Sequence, residues 1–129
     1  MNPALKPDFR YILKQHGGML AKGWLLGVQF EQLMQNGLFE QLGEHSTRLA
    51  RQLAEGLKDL GVEFMFESPS NQIFPILSDA QIARLQEQVA FNTTARVDAA
   101  HQAVRFVTSW ATTDAQVDAL LAVLAQVLE

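Results

Sequence analysis

One arginine stands in the middle of an apolar run near the end of the sequence, AVRFVTS, where Val104 and Phe106 alternate with Arg105 and Val107. Alternation of this kind is that of a β-strand, and it puts Arg105 on the face opposite Val104 and Phe106. A guanidinium within an apolar strand must find an anion, because an unpaired buried charge is costly. On the residues alone two readings stay open: a salt bridge to one of the chain's own carboxylates or an exposed edge position, and a site for a negatively charged ligand. The remaining chemistry is sparse. His16, His45 and His101 have no i, i+4 partner and no cysteine or paired carboxylate at ligand spacing, so no metal site is expected. Glu63 and Glu67 share a strand face and read as its solvated side. Gly17-Gly18 is too little for a phosphate cradle and reads as a helix stop, and neither G-x-S-x-G nor a P-loop is present.

The elements that must position Arg105 follow from periodicity. Asp8 precedes FRYILKQH, a short helix with Asp8 as N-cap and Gly17-Gly18 ending it. A second helical pattern carries Leu26, Phe30, Leu33 and Met34, with Gly23 and Gly27 inside it and Asn36-Gly37 as its stop. Each such glycine costs about 1 kcal/mol relative to alanine, which close packing against another backbone would justify. A third helix lines up Leu42, Leu49, Leu53, Leu57 and Leu60 and closes at Gly61. The period then changes. VEFMFE alternates as a strand, SPSN is a turn, and QIFPIL is a second strand in which Pro75 suits an edge or a bulge. Ser78 opens a helix through a capping box with Gln81, AVRFVTS is a third strand, and a second box from Thr113 to Gln116 starts a last helix. This order predicts an α+β fold, a small antiparallel-type sheet with helices on one face, preceded by long helices.

The chain has 129 residues, 48% of them hydrophobic and 19% charged, which fits a folded domain and not a disordered tail. With no cysteine, disulfides and thiolate zinc sites are excluded. No apolar run reaches the roughly 20 residues of a membrane span, and MNPALKPDFR lacks the apolar stretch of a secretory signal. A cytoplasmic chain without a membrane partner is expected. The net charge of −4, with all four lysines (Lys6, Lys14, Lys22, Lys58) before residue 60, argues against a nucleic-acid partner. It permits one small anion site near the N-terminus. Residues 1–36 crowd Phe9, Tyr11, Ile12, Leu13, Trp24, Leu25 and Leu26 together, more apolar surface than a lone domain covers. They are expected to pack on a missing large domain or partner chain, with residues 37–129 forming the α+β domain.

Three motifs carry a resemblance along nearly the whole chain: K-x-x-G-G-M at Lys14 to Met19, S-P-S-N-Q-x-F-P-I at Ser68 to Ile76, and R-F-V-T-S-W at Arg105 to Trp110. They resemble the C-terminal small domain of the threonine aldolases and aromatic β-eliminating lyases, pyridoxal-phosphate enzymes of fold type I with an aspartate-aminotransferase-like small domain. The resemblance implies a C-terminal part of a lyase, usually a homo-oligomer, that cleaves β-hydroxy amino acids to glycine and an aldehyde. It implies that Arg105 holds the carboxylate of a small amino acid substrate and that Lys14 contacts cofactor or substrate. It also implies that the Schiff-base lysine lies in a preceding large domain, so that neither Lys14 nor Lys22 is that lysine, this chain has no catalytic residue of its own and it is inactive alone. A non-catalytic interaction or dimerisation module is the alternative.

Overall fold

The computed structural model describes residues 2–128. They form two units divided between Phe39 and Glu40. The first unit is helical: after a 3-10 turn at Pro3–Leu5 come α1 (Phe9–Gln15) and α2 (Trp24–Met34). α1 closes at the two glycines. Gly17 has a φ of 71°, its N–H donates to the Lys14 carbonyl at 3.2 Å, and the Gly18 N–H donates to the Leu13 carbonyl at 2.9 Å. The two bonds satisfy carbonyls that a helix end leaves orphaned, in a left-handed turn that glycine adopts without strain. The start of α1 departs from expectation, because Asp8 occupies the N-cap position with a φ of 57° and makes no side-chain cap bond. α2 departs too. It begins after Gly23, so only Gly27 lies inside the helix, and a Cβ on Gly27 would meet nothing within 4 Å. The close packing that would justify Gly27 is not made by the described residues.

No residue of α1 or α2 is buried. Phe9, Tyr11, Trp24, Leu26 and Phe30 are each more than half exposed.

The second unit holds α3 (Leu38–Asp59) from Glu40 onward, β1 (Gln72–Ile73), β2 (Ile76–Ser78), α4 (Asp79–Gln86), β3 (Asn92–Arg96), β4 (His101–Val107) and α5 (Asp114–Leu128). β4 is the central strand and every pairing is antiparallel. β1 and β2 run along one side of it in a single register, with Gln72 opposite Val107, Ile73 opposite Phe106 and Ile76 opposite Ala103. Pro75 lies between them; it lacks an N–H, yet its carbonyl accepts from the Val104 N–H at 2.9 Å and the ladder continues through it. β3 covers the other side of β4, with a bulge between Thr93 and Ala95.

Leu49, Leu53 and Leu57 of α3, Ile82 and Leu85 of α4, and Val117, Leu124 and Val127 of α5 form one buried cluster with Ile73, Leu77, Val104 and Phe106. The helices therefore cover one face of the sheet, and the fold is α+β. Spacing of i, i+4 and i+8 along α3 aligns its leucines into the stripe that makes this possible. At Gly56 the two long helices come close: a Cβ there would lie 2.6 Å from the Leu121 methyls.

Three local expectations change. VEFMFE forms only an isolated bridge, Phe64 to Pro75, and the Phe66 ring packs on Phe74 at 4.7 Å. Leu60 is 38% exposed, since α3 ends one residue before it. β3 has no apolar alternation to announce it; it is a polar, largely exposed edge held by its backbone ladder to β4. The capping boxes form. The Gln81 N–H donates to Ser78 Oγ at 3.3 Å and the Ser78 N–H to Gln81 Oε1 at 2.9 Å; Thr113 and Gln116 repeat both bonds. Ser78→Ala is expected to lower stability by about 1 kcal/mol, read as a lower urea midpoint at unchanged slope. An unchanged midpoint would show that the cap contributes nothing. No helix among the described residues is long and apolar enough to cross a membrane.

Candidate functional site

β4 places Val104 and Phe106 in the core and Arg105 on the helix-free face, together with the half-buried Phe74 and Ile76 and the exposed Val107. Asn92 of β3 stands opposite Arg105, and the register of β1 and β2 puts Phe74 on its other flank. The strand is central, so the edge reading of Arg105 does not hold. The salt-bridge reading finds no support either: Nε of Arg105 is buried with no hydrogen-bond partner, and no carboxylate among the described residues pairs with the guanidinium.

Other arginines of this unit show what a paired guanidinium looks like here. Arg96, the second arginine of the sheet, sets both terminal nitrogens on Asp79 at 3.0 and 3.2 Å, and Gln102 donates to the same carboxylate at 2.6 Å. The Arg96 hydrogen bond, with help from Gln102, holds the Asp79 carboxyl below the usual carboxylate range. Asp98 is also held down, first by the Ala100 N–H and then by His101. Arg48 pairs in the same two-pronged way with Asp114, at 2.7 and 3.1 Å. The acids near the β3–β4 turn are thus already committed to Arg96 and His101. What remains at Arg105 is a fork of donors on an apolar floor, the arrangement that takes a carboxylate through two parallel N–H···O bonds. Two cavities of about 200 and 380 Å³ lie elsewhere, lined by Arg51, Phe64 and Phe66 and by Val62, Gln81 and His101 respectively; neither includes Arg105.

Lys14 lies exposed in the last turn of α1, in the first unit, without an ion pair among the described residues. Each histidine has a hydrogen bond within the described residues: His16 to the Ile12 carbonyl, His45 to the Thr112 carbonyl and His101 to Asp98. No group that could hold a metal ion is found among the described residues. Two polar residues close to Arg105 escaped the reading of the sequence. Asn71 and Thr108 are joined at the foot of β4, and both sit inside motifs already singled out.

No protein-family profile matches the chain. The low specificity L-threonine aldolase of Pseudomonas aeruginosa is 34% identical over 86 residues, covering 66% of this chain and 25% of that protein. The structure of Leishmania major threonine aldolase superposes with a TM-score of 0.88 at 41% identity, covering 99% of this chain and 37% of that one. The chain is similar to part of the threonine aldolases. A serine palmitoyltransferase from Sphingomonas wittichii follows at a TM-score of 0.55 and 26% identity, covering 65% of this chain and 23% of that one. One from S. paucimobilis, solved with bound PLP, shares the fold at a TM-score of 0.53 and 22% identity, over 65% of this chain and 23% of that one. The chain spans a quarter to a little over a third of the length of the threonine aldolases it matches.

Proposed function

We propose that this chain is the C-terminal small domain of a cytoplasmic, homo-oligomeric, pyridoxal-phosphate-dependent aldolase that cleaves β-hydroxy amino acids to glycine and an aldehyde. Its part is to hold the substrate carboxylate on Arg105. The observation that carries this reading is the buried, partnerless Nε of Arg105 in the central strand. Among the described residues Arg51 and Arg84 also lack an ion pair but lie exposed, whereas Arg105 has a buried donor without a partner, which supports an anion supplied from outside the chain. The donor set fits the chemistry: a planar guanidinium matches a carboxylate, and the exposed Lys14 ammonium suits a phosphate or a second carboxylate contact.

Pyridoxal phosphate, when bound, supplies an electron sink for the pair released as a bond at the α-carbon breaks. Arg105 fixes the carboxylate at two points, which leaves the amino acid one rotation fewer and orients its Cα–Cβ bond for cleavage. Phe74, Ile76 and Val107 floor the site with apolar surface, and the guanidinium-carboxylate pair is stronger there than in open water. The β-hydroxyl proton leaves as the aldehyde forms, and the α-carbon takes up a proton to give glycine. The remaining walls, the cofactor's lysine and the oligomeric contacts belong to the rest of the fold, and the chain alone is inactive. The exposed apolar residues of α1 and α2 are the surface that would meet that remainder. They equally favour the second reading, an interaction or dimerisation module without catalysis.

A hybrid carrying this segment in place of the corresponding part of the Leishmania major enzyme separates the two. It is expected to release glycine and acetaldehyde from threonine; a folded hybrid that binds cofactor and cleaves nothing favours the module. For the chain by itself, pyridoxal phosphate followed by borohydride is expected to leave no single lysine stoichiometrically labelled. A stable adduct mapped to Lys14 or Lys22 would contradict the assignment of the cofactor's lysine to another region.

A further inference from the structure

Thr108 is 4% exposed, yet it carries a hydroxyl. Its Oγ1 donates to the Ser46 carbonyl of α3 at 2.6 Å, and its N–H donates to the Asn71 carbonyl at 3.0 Å. The Asn71 side-chain amide donates back to the Thr108 carbonyl at 2.7 Å. Thr108 Oγ1 also stands 3.3 Å from the Asn71 carbonyl, but one hydroxyl proton serves one short bond, and the 2.6 Å contact takes it. The next residues are gripped by the same turn of α3: His45 Nε2 donates to the Thr112 carbonyl at 2.7 Å, and Arg48 pairs with Asp114. Every polar group of Thr108 is thus tied down, three residues beyond Arg105 on the same strand.

Valine would fill the same volume without a buried hydroxyl, and the Ser46 carbonyl would keep its place in the helix. A buried polar network costs more to maintain than an apolar contact of equal shape, and what it adds is a single geometry. The network also joins two of the motifs singled out in the sequence through residues that carboxylate binding does not use. Asn71 comes from S-P-S-N-Q and Thr108 from R-F-V-T-S-W, and the two residues are each other's hydrogen-bond partners.

We infer that Thr108 is a positioning residue for Arg105: its hydroxyl, bonded to α3, and the Asn71 amide behind it lock the foot of β4 and so hold the guanidinium in one orientation. This rests on the reading of Arg105 as a carboxylate anchor.

The test uses the whole chain, labelled with nitrogen-15. The Arg105 Nε–H resonance is assigned by its loss in Arg105→Lys, and sodium acetate serves as the carboxylate probe. The wild-type chain is expected to give one sharp resonance that moves on titration. Thr108→Val is expected to broaden or split that resonance and to weaken acetate binding about tenfold, the scale on which small misplacements act. Thr108→Ser, which keeps the hydroxyl, is expected to restore both. A folded Thr108→Val chain with a wild-type resonance and wild-type acetate affinity overturns the inference. So does a folded Thr108→Ser chain whose resonance is broadened and whose acetate affinity falls about tenfold below wild type, and this arm remains readable should the valine variant fail to fold. Acetate leaving the wild-type resonance unmoved would instead refute the anchor reading, while the resonance shape in the variants still reports on positioning.

Discussion

Arg105→Met is expected to make the chain more stable and the complete enzyme far less effective. A buried donor without a partner costs about 1–3 kcal/mol, and Nε of Arg105 is such a donor. Methionine has similar length, no donor and no charge, and it fits a floor of Phe74, Ile76 and Val107. The denaturation midpoint of the chain should therefore rise, by about 1 kcal/mol in free energy. In the hybrid with the Leishmania major enzyme the same change would, on the proposed role of Arg105, remove two charge-assisted bonds to substrate. That should lower kcat/KM by about 2–4 kcal/mol, or roughly 30- to 900-fold, with KM rising. Arg105→Lys keeps the charge but not the fork, and should recover only part of the loss. Opposite signs for stability and activity are the mark of a residue kept for function at a structural cost. Lower stability together with unchanged kinetics would remove Arg105 from the site.

Leu57→Ala is expected to have the largest effect on folding. Leu57 is fully buried on α3 within the cluster that joins all three helices of the second unit to the sheet. Truncating a leucine in such a place costs about 2–5 kcal/mol, a large share of the roughly 5–15 kcal/mol that holds a domain folded. Leu60 sits three residues on and reads as part of the same stripe, but it is 38% exposed, and Leu60→Ala should change stability by less than about 1 kcal/mol. Urea unfolding of the two variants side by side decides the matter. Equal losses would mean that α3 continues past Asp59 and buries Leu60.

Much of this architecture was legible because it rests on local chemistry. Leu49, Leu53 and Leu57 of α3, the capping boxes at Ser78 and Thr113 and the glycine stop after α1 each follow from spacing or from backbone demand, and each appears where its residues place it. Elements held mainly by partners elsewhere in the chain were harder. β3 is a strand because β4 offers it a ladder, and nothing in N-T-T-A-R shows that from within. The segment from Val62 to Phe66 has the opposite history, with good alternation but only one bridge. Asp8 shows a further limit: the right residue at a helix start caps nothing when the backbone arrives in a left-handed conformation. At the candidate site, the strand and facing of Arg105 could be read from alternation. Its lack of a partner could not, since that depends on where the whole fold places the carboxylates.

The claim that everything functional depends on is that Arg105 receives a carboxylate from outside the chain. A crystal structure of the hybrid with glycine, the expected product, tests it at the atom. Both glycine carboxylate oxygens should lie about 2.7–2.9 Å from nitrogens of the Arg105 guanidinium. Glycine held by other residues, with Arg105 turned to a carboxylate of its own domain, would contradict the account.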